Sequence, residues 1–69
     1  MANGTVKWFN PMKGFGFIQS DHGGKDDFVH ISALERAGIS SLIEGQRISY
    51  DLVTNKGKTA ADNLKLLAA

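Results

Sequence analysis

The sequence predicts an all-β fold, a small five-stranded antiparallel β-barrel carrying one short helical turn. Three observations predict it. The chain has 69 residues, too few for two cores, so residues 1–69 are expected to form a single domain. Five short runs of strand-forming residues are separated by clusters of Gly, Pro, Asn and Asp, the pattern of small sandwiches and barrels. One stretch has helical spacing, and Gly38 cuts it short.

Val6 to Asn10 reads as a strand of mixed alternation. Pro11 ends it by excluding helical geometry from the residue before it, and Lys13 and Gly14 complete a turn. Phe15 to Ser20 is the second strand, and the short connection makes the pair an antiparallel hairpin. Asp21 to Asp26, with Gly23 and Gly24, is polar and loop-like. Asp27 to Ile31 is a short third strand. Ser32 and Glu35 have capping-box spacing, so Ser32 is expected to cap a single helical turn that Gly38 stops. Arg47 to Thr54 alternates most clearly, with Ile48, Tyr50 and Leu52 on one face and Arg47, Ser49 and Asp51 on the other. Asn55, Lys56 and Gly57 turn the chain into a last strand, Thr59 to Leu67, with Leu64 and Leu66 on one face. Its alanines and leucines would also fit a short helix, and strand is the preferred reading. The interior is expected to be aliphatic, from Val6 and Ile18 through Leu52 and Val53 to Leu66. Closing or nearly closing the barrel removes edge strands that would invite aggregation.

Composition excludes several classes of function. There is no cysteine, hence no disulfide framework and no Cys-based zinc site, which suits a reducing compartment. No basic segment followed by an apolar run opens the chain, and nowhere do about 18 apolar residues follow one another. The expectation is a cytoplasmic protein with no membrane partner. His22 and His30 with Asp21, Asp26 and Asp27 lack the convergent spacing of a tight metal site, so no metal and no cofactor are expected. Gly57, Lys58 and Thr59 imitate the end of a phosphate loop, but position 52, where the first glycine belongs, is Leu52. Gly14 and Gly16 begin a dinucleotide fingerprint that Gln19 breaks. No serine stands among partners that suggest a nucleophile, and so small a barrel has no room for an enclosed pocket, so neither an enzyme nor a small-molecule substrate is expected.

The net charge of +1 divides unevenly. Residues 1–20 carry Lys7 and Lys13 without an acid, residues 21–51 have six acids against three bases, and residues 52–69 are again basic. If the two ends are neighbours, one face is basic and attracts a polyanion. The rings are more uneven still: Trp8, Phe9, Phe15, Phe17 and Phe28 precede residue 29, and Tyr50 alone follows. Strand alternation puts Phe15 and Phe17 on one face and Ile18 on the other, and likewise Phe28 and His30 opposite Val29 and Ile31. With Ile18 inward, the rings stand outside, and Gly14 and Gly16 leave room for a planar ligand beside Phe15. Packing these rings in the core is the plainer alternative, but the aliphatic residues suffice for that. Unpaired bases stack on such a platform, whereas duplex bases are already stacked.

The run Lys7, Trp8, Phe9, Asn10, then Lys13 to Ile18, then Phe28, Val29, His30 with Ser32 and Ala33, and Glu44, Gly45, Gln46 further on, resembles the bacterial cold-shock proteins. The resemblance extends from about Gly4 to Leu67, and its two segments are similar to that family's paired ribonucleoprotein motifs. It implies an OB-type barrel, monomeric, that binds single-stranded RNA and single-stranded DNA with little sequence preference. It implies further an ATP-independent RNA chaperone with a role in cold adaptation and in transcription or translation. By matching position, Trp8, Phe15, Phe17, Phe28 and His30 would stack on bases, with Phe9 contributing in part. Lys7, Lys13 and Lys56 would meet phosphates, and Asn10 and Asp26 would offer hydrogen bonds to base edges. Ile31 and Ile39 stand where relatives commonly have rings, which implies weaker binding, and Lys58 replaces a frequent proline and adds a charge. Two other readings share these residues: a barrel that grips proline-rich peptides on its rings, and an OB domain of the translation apparatus.

Overall fold

The computed structural model describes residues 1–67; Ala68 and Ala69, the end of the expected domain, lie outside the described residues. The elements are β1 (Ala2–Asn10), β2 (Phe15–Ser20), β3 (Asp27–His30), α1 (Ile31–Ala37), β4 (Arg47–Asn55) and β5 (Lys58–Leu66). They form one antiparallel sheet in the order β3-β2-β1-β4-β5. The end strands β3 and β5 lie against each other and α1 packs on both, but no ladder joins them among the described residues. The fold is the expected five-stranded OB-type arrangement, barrel-like but not closed by hydrogen bonds. β3 has only four residues before the chain turns into α1, and the helix covers the seam between β3 and β5.

Several local expectations are corrected by long-range pairing. β1 begins at Ala2, four residues early, because Ala2 to Thr5 pair with Tyr50 to Arg47 of β4. The two basic ends are not neighbouring strands: β1 lies between β2 and β4, and among the described residues β5 pairs with β4 alone. A bulge between Ser49 and Asp51 shifts the alternation of β4. Ile48, Ser49 and Tyr50 are consequently all buried, while Leu52 and Val53 are 49% and 42% exposed rather than interior. Leu64 is buried as expected, but Leu66, the last residue of the end strand β5, is 46% exposed. The core is formed by Val6, Ile18, Val29, Leu34, Ile48 and Tyr50, each fully buried.

The helix spans seven residues, about two turns, rather than one. Its cap is His30, not Ser32: the His30 Nδ1 accepts from the Ser32 backbone N–H at 3.1 Å. Accepting there requires a lone pair on Nδ1, so the ring hydrogen sits on Nε2. Gly38 ends the helix as predicted, at φ 74°, with its N–H turned back to the carbonyls of Leu34 and Glu35. Ile31 opens α1 instead of extending β3, and its N–H donates to the Gly14 carbonyl at 2.8 Å.

Candidate nucleic-acid interface

Three adjacent strands bring the predicted rings to one outer face. The ladder places Trp8 opposite Phe17, and Phe17 opposite Phe28, with Phe15 opposite His30. Regular alternation in β1 would have turned Trp8 to the same side as the buried Val6. The register instead shifts between Val6 and Trp8, with Lys7 as the extra residue, so Trp8 comes out beside Phe17 and Phe9 turns in against the core. The mixed alternation of this segment was the visible trace of that bulge. Trp8 is 42% exposed, Phe15, Phe17 and Phe28 are half-buried, and His30 is exposed.

The rings form a continuous group. Trp8 lies edge-on to Phe15 and Phe17, with centroids 5.6 and 5.3 Å apart. Phe28 stacks on Phe15 at 5.8 Å and 27°, meets Phe17 edge-on at 5.9 Å, and leans toward His30 at 6.4 Å. Such offset and edge contacts hold each ring in place, and Phe28 touches three of its four companions. The ring residues are left partly exposed to water on the sheet surface.

Gly16 has a different role from the one its spacing suggested. It is buried, and a Cβ there would clash with the Trp8 carbonyl and stand 2.8 Å from the Phe9 Cα. It lets β1 and β2 approach rather than admitting a ligand. Gly14, at φ 82°, is likewise buried and turned toward Ile31.

The polar residues divide into engaged and free. Lys7 Nζ pairs with Asp26 at 3.1 Å beside the platform, so each satisfies the other. Asn10 is partly committed: its Oδ1 accepts from the N–H groups of Met12 and Lys13 at 3.0 and 3.1 Å, closing the turn, and its amide nitrogen remains for a ligand. Among the described residues, Lys13, Lys56 and Lys58 form no ion pair and are exposed. Lys56 sits at φ 52° in the tip of the β4–β5 hairpin. Lys58 and His30 line one groove of about 220 Å³ between α1 and that hairpin, with Val53 in its wall. The groove begins where the platform ends. A larger concavity of about 400 Å³, lined by Met1, Arg36 and Lys65 among others, holds none of the rings. Ile39 packs against the core, so of the two isoleucines only Ile31, beside Gly14, adjoins the turn that leads into the platform.

Two features were beyond sequence reasoning. The Tyr50 hydroxyl donates to the Asp27 carboxylate at 2.5 Å, and Arg47 grips Asp21 through two bonds of 2.7 Å. Both join residues more than twenty positions apart, and no local signal marks them. The Arg47 hydrogen bonds hold the Asp21 carboxyl below the usual carboxylate range, and burial, with the Asp27 carboxylate, pushes the Tyr50 hydroxyl far above the phenol range. In the described residues no group of three or more metal-ligating side chains converges, and no helix is long and apolar enough to cross a membrane.

Comparison with known proteins gives the same answer as the geometry. The family of the "'Cold-shock' DNA-binding domain" matches residues 2–67. The chain is 63% identical over 67 residues to cold shock protein CspA of Rhizobium meliloti, covering 94% of this chain and 97% of that one. It is 52% identical to cold shock protein CspD of Bacillus subtilis over 67 residues, 96% of this chain and all of the relative. Against cold shock-like protein CspE of Escherichia coli the identity is 48% over 64 residues, 91% and 93% of the two chains. With the rings on one face of a five-stranded OB-type sheet and the match running through all five strands, this chain belongs to the family of cold-shock DNA-binding domains, a nucleic-acid-binding family.

Proposed function

We propose that the protein binds unpaired RNA and DNA on the face formed by Trp8, Phe15, Phe17, Phe28 and His30, and acts as an RNA chaperone that needs no ATP. The observation that carries this reading is the half-exposed ring group on β1, β2 and β3, bordered by free lysines. Each base stacked on an aromatic side chain contributes about 1–3 kcal/mol, with no demand on base identity. Lys13, Lys56 and Lys58 meet phosphates directly, whereas Lys7 does so only by leaving Asp26. The Asn10 amide nitrogen and the released Asp26 carboxylate then face base edges.

Chaperone action follows from mass action. A ligand that binds only the open state favours opening by RT ln(1 + [L]/Kd), about 2.7 kcal/mol at a hundredfold excess over Kd. Stacking in duplex DNA averages roughly 1.4 kcal/mol per step, so each bound protein offsets about two steps. Weak hairpins open and long helices do not. In this reading the working unit is a monomeric single domain in the cytoplasm, with a part in cold adaptation.

The test is a hairpin oligonucleotide with a fluorophore and quencher at its ends. The protein is expected to open a short stem at micromolar concentration and to leave a long stem closed, without ATP. A proline-rich peptide that binds the same face while oligothymidine does not would replace this reading with a peptide module.

A further inference from the structure

We infer that the hydrogen bond from Tyr50 to Asp27 is a positioning pair that fixes Phe28 in the ring platform. The inference rests on the proposed binding of unpaired bases at that face.

β3 is the least supported carrier of rings. It has four residues and, among the described residues, ladders only with β2. Its far end is secured twice, by the Ile31 N–H on the Gly14 carbonyl and by His30 capping α1. Its near end follows the Asp21 to Asp26 loop, where Gly23 and Gly24 both have positive φ and are exposed. The ladder joins that end to β2, with Asp27 opposite Ile18; what ties it to the rest of the barrel is side-chain chemistry. Alternation turns Asp27 to the inner side with Val29 and Phe28 to the outer side with His30. Asp27 accepts the Tyr50 hydroxyl at 2.5 Å, a short hydrogen bond to a charged acceptor, the strong kind. Tyr50 is 0% exposed and belongs to β4, two strands removed from β2 in the sheet. The bond therefore crosses the interior and ties the start of β3 to the packed core. Phe28 is the next residue, and it contacts Phe15, Phe17 and His30. Asp26, on the other side of Asp27, pairs with Lys7 at the exposed surface, a weaker restraint that phosphate binding would release.

The burial of Tyr50 also suits this role. Its hydroxyl donates to one acidic partner and keeps its proton well beyond neutral pH, so the donor side of the tether stays intact. A phenylalanine would fill the same core volume and lose the tether alone.

The test is Tyr50→Phe, titrated with oligothymidine by Trp8 fluorescence at a temperature where both proteins are fully folded. Its expected affinity loss is about threefold to tenfold, with the salt slope unchanged because the phosphate contacts remain. In the free protein, NMR of the Phe28 ring should show faster motion and a shifted resonance, while Phe15 is much less affected. Asp27→Asn, which keeps an acceptor for the hydroxyl, should bind within about twofold of the unaltered protein, and Asp27→Ala should behave like Tyr50→Phe. Should Tyr50→Phe fail to fold, Asp27→Ala supplies the same comparison. Unchanged affinity together with an unchanged Phe28 signal in the folded variant overturns the inference. If the unaltered protein fails to bind oligothymidine, the proposed function falls instead, and the Phe28 signal still decides whether the bond positions that ring.

Discussion

The bulge at Lys7 gives two neighbouring aromatic positions opposite roles, and a pair of substitutions separates them. Phe17 stands on the outer face, edge-on to Trp8 and Phe28 at 5.3 and 5.9 Å. Phe9, paired with Gly16 in the ladder, is packed against the core. In Phe17→Ala one stacking surface is lost, worth about 1–3 kcal/mol, or roughly a fivefold to 150-fold rise in Kd for oligothymidine. The fully buried core is untouched, so the stability loss comes from the ring contacts with Trp8, Phe15 and Phe28, about 0.5–1.5 kcal/mol each. In Phe9→Ala the cost moves to stability. Full burial of a phenylalanine gives 3–5 kcal/mol on truncation, and a partly buried one about 2 kcal/mol, a fall in Tm of roughly 8–16 °C for a domain of this size. Binding by the folded Phe9→Ala protein should stay within about twofold of normal. The assay is Trp8 quenching at low temperature beside thermal melting followed by circular dichroism. If Phe9→Ala, fully folded, weakens binding as much as Phe17→Ala does, then the register shift does not divide the two faces as described.

Four further outcomes are expected. Gly16→Ala forces a Cβ against the Trp8 and Phe9 backbone and should cost about 1–3 kcal/mol; a melting temperature equal to the unaltered protein's would show that the strands can part freely. Asp62 has its carboxyl held below the usual range, first by the Asn63 backbone N–H and then by Arg36. A lowered carboxyl stabilises above its unfolded value and loses that contribution as pH falls through the folded one; hence Asp62→Asn should lower Tm at pH 7 and make the fall between pH 5 and pH 2 shallower, as a Tm series would reveal. Ile31→Phe adds a ring next to the platform turn and should tighten oligothymidine binding, whereas Ile39→Phe overfills a position packed on the core and should lower Tm without tightening. Lys58→Ala should reduce the salt dependence of log K by about 0.7, one phosphate contact, as titrations at several salt concentrations would report.

What the sequence disclosed was local. Phe15 to Ser20 and the stop at Gly38 agree with the structure because turn residues and alternation act over a few positions. The outward set Phe15, Phe17, Phe28 and His30 was legible for the same reason, since regular alternation in β2 and β3 decides which side a ring takes. Only the family resemblance points to Trp8 as a member of the set, and its outward turn depends on a bulge whose register is set by pairing with β2. The bulge in β4 hid in the same way: Leu52 looks interior by alternation, yet is half exposed because Ser49 and Tyr50 are both inside. His30 displaced Ser32 as the helix cap because the strand delivers an imidazole nitrogen to the first turn, something a capping-box spacing cannot register. The pairs Lys7 with Asp26, Tyr50 with Asp27 and Arg47 with Asp21 join distant segments. They become visible only when the sheet is assembled.

The most direct measurement is a titration of Trp8 fluorescence with oligothymidine and with a blunt duplex of the same length, each at two salt concentrations. The expected result is strong quenching and saturable binding for the single strand, weakening as salt rises, with the duplex at least tenfold poorer. Equal affinity for the duplex, or a Trp8 signal that the single strand leaves untouched, would contradict the claim that these exposed rings receive unpaired bases.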